Sequence, residues 1–475
     1  MDRRTCTRVA VVALAVLLAT ASARAADAPI DSVVLISIDS LRPDHLGTYG
    51  YHARTSPTID RLAASGVVFD RAYSTSSWTL PAHISLLTGL EDGAHGVVDD
   101  GHRLPDVVET LPATLRAAGI HTAGFYSGPF LHPTYGFGQG FETYTNCTSV
   151  VTAGANEPPE QLAYLLSYRD ITNPIVLGKV RQWVKSGPPH GRHFVFIHLW
   201  DVHYDYVPPA RYLVLFDPDF MGPLKPPYYG LIRPGAPARA VQHGIARYDG
   251  EIRYTDDTVA RILGVLARAK MLERAAVIIA ADHGEEFLEH GRQGHRWNLF
   301  ETSIRIPLII HLPDGMATPG RVANVVSLVD VYPTICELFG VRCEQRAGRS
   351  LVPFLRAGRD PARGEEALVE LTVARQKISQ VGLVRAHDKL VRWNDTGATK
   401  YFDASEMATE ATGTDVDPNR LGDYPLAVRD GFVELDRRIA QASEAGKRVY
   451  ADAPESAPEL DDLTRRHLKS LGYIE

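Results

Sequence analysis

Two apolar runs in this sequence end in side chains that bind cations. Residues 33–38 run into Asp39, and residues 275–281 run into Asp282-His283-Gly284. Two carboxylates and an imidazole from two strand ends make an oxygen-and-nitrogen ligand set, which suits Zn or Mn better than a thiolate-seeking metal. An Asp after a strand is common in turns. The Asp-His-Gly ending says more, because adjacent ligands need the bend that glycine permits. A third segment, Ser76-Ser77-Trp78-Thr79-Leu80-Pro81-Ala82-His83, offers a nucleophile. Pro81 marks a helix start and puts Thr79 at its N-terminus, where backbone N–H groups and the helix dipole favour a negative oxygen. Thr79 is there either a helix cap or, beside a metal, an activated nucleophile. Histidines supply the fourth element. His198 ends an apolar run, His203 precedes the rigid Tyr206-Val207-Pro208-Pro209 loop, and His283, His290 and His295 follow one another closely. Imidazoles so placed can hydrogen-bond an anionic ester or protonate its leaving group, although each taken singly is an ordinary structural histidine.

The elements that must position these groups alternate. Short apolar runs at 33–38, 67–69, 122–126, 194–199 and 275–281, with another at 306–312, read as buried strands. Helical patterns lie between them: one from Ser56-Pro57 (Ser as N-cap, Pro at the first position) to Gly66, one over 108–119, and a long one over 239–270. This alternation predicts an α/β fold with a mainly parallel central sheet flanked by helices, whose sites lie at the carboxyl ends of strands. A helix and a loop over 326–355 close the main unit. After residue 358 the pattern changes to short strands at 367–371, 378–385 and 390–393, a loop over 404–424, and polar helices over 425–445 and 459–471. We read residues 26–358 as the catalytic domain and 359–475 as a smaller C-terminal α+β subdomain.

Composition bounds the rest. The chain has 475 residues, 45% hydrophobic and 23% charged, with 50 basic and 57 acidic side chains and a net charge of −7. These values describe a globular protein and argue against a nucleic-acid-coating surface. Arg3, Arg4 and Arg8, the apolar run 9–19 and Ala23-Arg24-Ala25 have the layout of a signal peptide over residues 1–25. The run is too short for a membrane span, so the expectation is a periplasmic or secreted protein with no span after cleavage. Cys336 and Cys343 are near enough to bridge, which would leave Cys147 over.

Together the segments resemble the sulfatase-type members of the alkaline phosphatase superfamily. The likeness covers residues 30–355, with a weaker match in the tail. It is carried by Ile38-Asp39-Ser40-Leu41-Arg42-Pro43, Thr79-Leu80-Pro81-Ala82-His83, Tyr248-Asp249-Gly250-Glu251, Asp282-His283-Gly284-Glu285, Arg305-Ile306-Pro307-Leu308, Asp330-Val331-Tyr332-Pro333 and Leu471-Gly472-Tyr473. The resemblance implies a metal-assisted ester hydrolase. It makes Asp39, Asp282 and His283 ligands, with Thr79, of one divalent cation (Zn, Mn or Ca). It puts Thr79 at the nucleophile position, His203 against the ester anion, and His295 near the position of a lysine in many sulfatases.

The departures from that pattern direct the functional reading. Sulfatases of the main type carry Cys or Ser, then Pro two residues on and Arg four on, and oxidise the Cys or Ser to formylglycine. Here Thr79 and Pro81 are followed by His83, and oxidation of a threonine would give a ketone. Ser40 stands where sulfatases usually carry another Asp ligand, which argues against a second metal helped by His290 or His295. The pattern is similar to relatives with a Thr nucleophile. The expected reaction is a double displacement through a threonyl ester, with His203 or His295 protonating the leaving oxygen, on a small-molecule, lipid or glycan ester. A phosphodiester or phosphonate monoester is favoured. The alternatives are a phosphoethanolamine- or phosphoglycerol-type transferase, a sulfatase working without formylglycine, and an inactive secreted binding protein. Segments 145–174 and 216–238 are the expected pocket walls. Oligomeric state is left open.

Overall fold

The computed structural model describes residues 30–148, 171–220, 228–357, 366–407, 409–410, 413–450, 458–459 and 465. The signal segment, most of the 145–174 wall, the 358/359 boundary and nearly all of the 459–471 helix lie outside these residues. In chain order the strands are β1 Ser32–Ile38, β2 Val67–Tyr73, β3 His121–Tyr126, β4 Thr143–Asn146, β5 His193–Leu199, β6 Ala275–Ala281, β7 Glu286–Phe287, β8 Gln293–Gly294, β9 Arg305–His311 and β10 Gly320–Ser327. They continue as β11 Glu366–Val373, β12 Ile378–Arg385, β13 Asp388–Trp393, β14 Thr399–Asp403 and β15 Thr414–Asp415.

Eight strands form one sheet in the order β10-β2-β9-β6-β1-β5-β3-β4. All seven residues of β1, β5 and β6 are buried, as continuous apolar runs covered on both faces must be. The pairing is parallel except around β9, which runs antiparallel to β2 and β6. Residues 306–312 were therefore expected correctly as a strand, but direction is not written in an apolar run. Register matters more for function. Ile38 pairs with both Leu199 and Ala281, so β1, β5 and β6 end level and the residues that follow them emerge side by side, about 5 Å apart.

The helices that frame the sheet are α1 Pro57–Ala64, α2 Thr79–Thr88 and α3 Ala238–Arg268. The start of α1 corrects one expectation. Ser56 makes no cap bond; it donates to Asp60 Oδ1. The free amides of Thr58 and Ile59 instead donate to Asp256 on α3, at 2.8–2.9 Å. A partner about 200 residues away satisfies donors that local sequence leaves open. α2 is wholly buried and ends at Gly89, whose φ of 68° lets its N–H close on the Ser85 carbonyl.

The region 326–355 holds helices at Val331–Phe339 and Val352–Ala357, preceded by edge strand β10, which periodicity missed because a register shift falls between Val322 and Val325. Cys336 and Cys343 are disulfide-bonded with Cα atoms 6.1 Å apart, and Cys147 is a buried free thiol. β11 to β15 form a separate antiparallel sheet in sequence order, against which helix α4 Leu426–Val449 packs. β14, β15 and a short 3-10 segment at Pro418–Asp423 were not foreseen. This sheet touches the main unit just before α2: Glu370 N–H donates to the Thr75 carbonyl at 2.7 Å, and Ser76 Oγ donates to the Glu370 carbonyl at 2.6 Å. Among the described residues no helix is long and apolar enough to cross a membrane.

Candidate metal and catalytic centre

The level strand ends put Asp39 after β1 and Asp282-His283 after β6, both fully buried. Atoms of Asp39, Asp282 and His283 lie within 4.8 Å of one another. α2 delivers Thr79 to the same point: Thr79 Oγ1 is 3.4 Å from Asp39 Oδ2 and 3.3 Å from His283 Nε2. His283 Nε2 is 3.4 Å from Asp282 Oδ2. The sequence-derived ligand set and the nucleophile candidate thus converge.

Ser40 organises this floor. With φ at 53°, it sits in the left-handed region that non-glycine residues rarely occupy. There its N–H donates to Asp282 Oδ1 at 3.1 Å and its hydroxyl to Asp39 Oδ1 at 2.8 Å. One serine in an unusual conformation orients both carboxylates. Gly284 also has a clear reason, different from the bend first inferred: a Cβ there would collide with the Thr302 carbonyl.

The imidazoles share one feature. A backbone carbonyl can only accept, so a ring nitrogen bonded to one must carry the proton. His283 Nδ1 lies 2.8 Å from the Gly284 carbonyl, His203 Nδ1 2.6 Å from that of Tyr204, His198 Nδ1 2.8 Å from that of Ser127, and His83 Nδ1 2.9 Å from that of Thr79. When such a ring is neutral, Nε2 carries the lone pair, the arrangement in which histidines bind metals. His203 and His295 both reach the centre; their rings are 5.0 Å apart, and the His295 ring is 4.4 Å from that of His283. His295 Nδ1 stands 3.2 Å from Glu285 Oε1. His290 does not join them: it bonds Glu286 Oε1 at 2.6 Å and the Thr409 carbonyl. His198 and His83 were noticed in the sequence but not assigned to the site. The sequence signal for His198 was its place at the end of an apolar run. For His83 it was the departure from Arg.

Burial and neighbouring charge set the protonation. Burial pushes the Asp39 carboxyl up, but the side-chain hydrogen bond with His198, followed by the charge that His203 and His283 carry when protonated, outweighs this and holds it below the usual carboxylate range. Burial, helped by the Asp39 charge, raises Asp282 to about 6. Burial lowers His203 to about 4 and, with His283 and His203 adding to it, drives His295 well below its usual value. His203 and His295 are therefore held neutral.

A divalent cation fits this donor set. Ligand atoms about 2.0–2.2 Å from one ion at roughly tetrahedral angles stand ~3.3–3.5 Å apart, which matches the 3.3–3.4 Å separations around Thr79 Oγ1 and His283 Nε2. Asp282 Oδ2 is buried without a hydrogen-bond partner; its own desolvation is already met in the fold, and a cation would supply the partner it lacks.

A family model described as Sulfatase matches residues 31–341. A choline-sulfatase of Rhizobium meliloti (strain 1021) is 25% identical over 374 residues, 68% of this chain and 71% of that protein. Human arylsulfatase K is 38% identical over 187 residues, 39% of this chain, so the match spans about a third (34%) of that relative's own length. A phosphonate monoester hydrolase of Agrobacterium radiobacter has the same fold, with a TM-score of 0.69 at 20% identity over 87% of this chain and 96% of its own.

Proposed function

The chain belongs to the sulfatase family of the alkaline phosphatase superfamily, and from that premise we propose that it hydrolyses a phosphorus ester, a phosphodiester or phosphonate monoester, with Thr79 as nucleophile. The observation that carries this reading is the position of Thr79 Oγ1 at the N-terminus of α2, between Asp39 Oδ2 and His283 Nε2, in the place where a formylglycine precursor would stand. Asp39, Asp282, His283 and Thr79 would hold the cation. Bound there, a divalent cation supplies Lewis acidity, which lowers the pKa of the Thr79 hydroxyl and offsets charge on the ester's non-bridging oxygens.

The steps belong to the side chains. Thr79 Oγ attacks phosphorus; the new O–P bond forms as the bond to the leaving oxygen breaks, giving a threonyl ester. The Thr79 proton passes to the unprotonated nitrogen of His203 or His295. Because both imidazoles are held neutral, they must first collect this proton before returning it to the leaving oxygen, so the same ring serves as base and then acid. Water then attacks the threonyl ester, gives its proton to the imidazole and releases Thr79 when that proton returns. We also propose that the protein is exported. The basic, apolar and Ala-Arg-Ala layout of residues 1–25 and the Cys336–Cys343 disulfide both suit an oxidising compartment.

The test is release of p-nitrophenol from the phosphate monoester, phosphate diester, phosphonate monoester and sulfate, with and without chelator. Chelator-sensitive cleavage of a phosphorus ester, reduced by about 10³-fold or more in Thr79→Ala, is the expected outcome. Cleavage of the sulfate alone, the bond the choline-sulfatase relative's name points to, would overturn the phosphorus reading. Full activity of Thr79→Ala would overturn the nucleophile.

A further inference from the structure

We infer that Tyr248 is a positioning residue of the cation site: its hydroxyl holds Ser40 in the left-handed conformation from which that residue orients Asp39 and Asp282. The inference rests on the reading of those two carboxylates as cation ligands and deepens it. Tyr248 lies on α3 and is fully buried. Its hydroxyl accepts the Arg42 N–H at 2.9 Å and donates to the Ser40 carbonyl at 2.8 Å. Neither direction is open to choice, because an amide N–H can only donate and a carbonyl can only accept. A Ser40 carbonyl bonded directly to the Arg42 N–H would close a three-residue turn. Here the phenol oxygen stands between the two and is the partner of both.

Ser40 needs that hold. At a φ of 53° a non-glycine residue is strained, and such strain persists only where the surroundings over-determine it. Its N–H and hydroxyl are spent on the two carboxylates, at Asp282 Oδ1 and Asp39 Oδ1. Its carbonyl is left to tie the residue to a separate element, and α3 supplies the tie. A residue relaxed out of the left-handed region would lose the aim of both donors together.

Tyr248 is itself fixed. Its ring meets Phe287 edge-on at 4.9 Å and Tyr206 at 5.4 Å. Asp249, the next residue of α3, accepts from the Tyr51 hydroxyl at 2.7 Å. On the loop side, Arg42 Nε donates to Asp44 Oδ1 at 3.0 Å and Nη1 to the Glu285 carbonyl at 2.9 Å. The loop from Ser40 to Tyr51 is thus stitched to two consecutive residues of one helix, and Tyr248 makes the stitch beside Asp39.

The test titrates the full chain, stripped by chelator, with Zn²⁺. Tyr248→Phe deletes one oxygen and keeps the ring. It should weaken Zn²⁺ binding by about 5–30-fold, the equilibrium factor of one left-handed non-glycine residue. Ser40→Ala keeps the strain, whereas Ser40→Gly removes it. Tyr248→Phe should therefore cost the same factor again when added to Ser40→Ala, and less than about twofold when added to Ser40→Gly. An equal loss in the two backgrounds would make Tyr248 an ordinary buried hydroxyl and overturn the inference. So would a Tyr248→Phe that unfolds earlier yet binds Zn²⁺ as wild type does. Should Tyr248→Phe not fold, recovery of the fold by Ser40→Gly but not by Ser40→Ala supports the inference, and recovery by both or by neither overturns it. Failure of the underlying reading looks different. In that case wild type takes up no Zn²⁺, or Asp282→Asn binds it as well as wild type does.

Discussion

Two buried carboxyls in this protein are raised to about the same value, near 6, and their surroundings differ completely. Asp256, on α3, is pushed up by burial and pulled back by the amides it serves; it accepts from Thr58 and Ile59 through both oxygens. Asp282, after β6, is pushed up by burial and by Asp39. Its Oδ1 accepts from the Ser40 and His283 amides, while its Oδ2 has no hydrogen-bond partner. The first carboxylate is satisfied within the chain; the second keeps one oxygen without a hydrogen-bond partner, the one the proposed cation would take. Burial alone does not distinguish a structural acid from a ligand.

Substitutions at the two positions should separate stability from function. The largest effect is expected at the unfinished site. Asp282→Asn keeps the shape and the Oδ1 acceptor but removes the charge. Ester hydrolysis should fall by about 10³-fold or more, while the metal-free protein melts no lower than wild type because an uncompensated buried charge is gone. A lower melting temperature for metal-free Asp282→Asn would place Asp282 with Asp256 as a structural acid.

At the finished site the order reverses. Asp256→Ala removes the acceptor for the first turn of α1 and should cost about 1–2 kcal/mol, measured by denaturant unfolding, with hydrolysis within about twofold of wild type. The sign with pH is also fixed. The folded value, about 6, lies above the ordinary 3.8, so this group's contribution is fully present below about 3.8 and is lost as pH rises through about 6. Wild type should gain stability on acidification through that window by more than Asp256→Ala does.

The smallest effect tests the link between the carboxylates. Ser40→Ala deletes one donor to Asp39 but keeps the backbone donor to Asp282. Metal affinity should drop by roughly tenfold, the lower end for an outer partner, and the fold should be unaffected. A drop as large as that of Asp282→Asn would mean that Ser40 touches the ion itself.

How much of this the sequence carries depends on range. The run 275–281 reads as a strand with its final boundaries because seven consecutive apolar residues admit little else, and Asp39, Thr79, Asp282 and His283 could be picked out because each ends or begins such an element. The antiparallel sense of β9 could not be read, since direction is fixed by where the chain returns. Nor could the cap on α1: Ser56 has the right chemistry locally, and Asp256 prevails from about 200 residues away. The roles of His83 and His198 were hidden for the same reason. The ring proton of His198 depends on the Ser127 carbonyl, and the second nitrogen of His83 on the Ser37 hydroxyl, both of which only the folded chain brings near.

Those carbonyls have an evolutionary consequence. Ser127, Tyr204 and Gly284 fix the protons of His198, His203 and His283 through main-chain oxygens, and every amino acid offers the same oxygen. Point substitution at residue 204, whose ring lies against that of His295, can change a side chain beside the centre while the tautomers beneath it are inherited intact. Substrate preference can drift in such a lineage without the chemistry having to be reinvented.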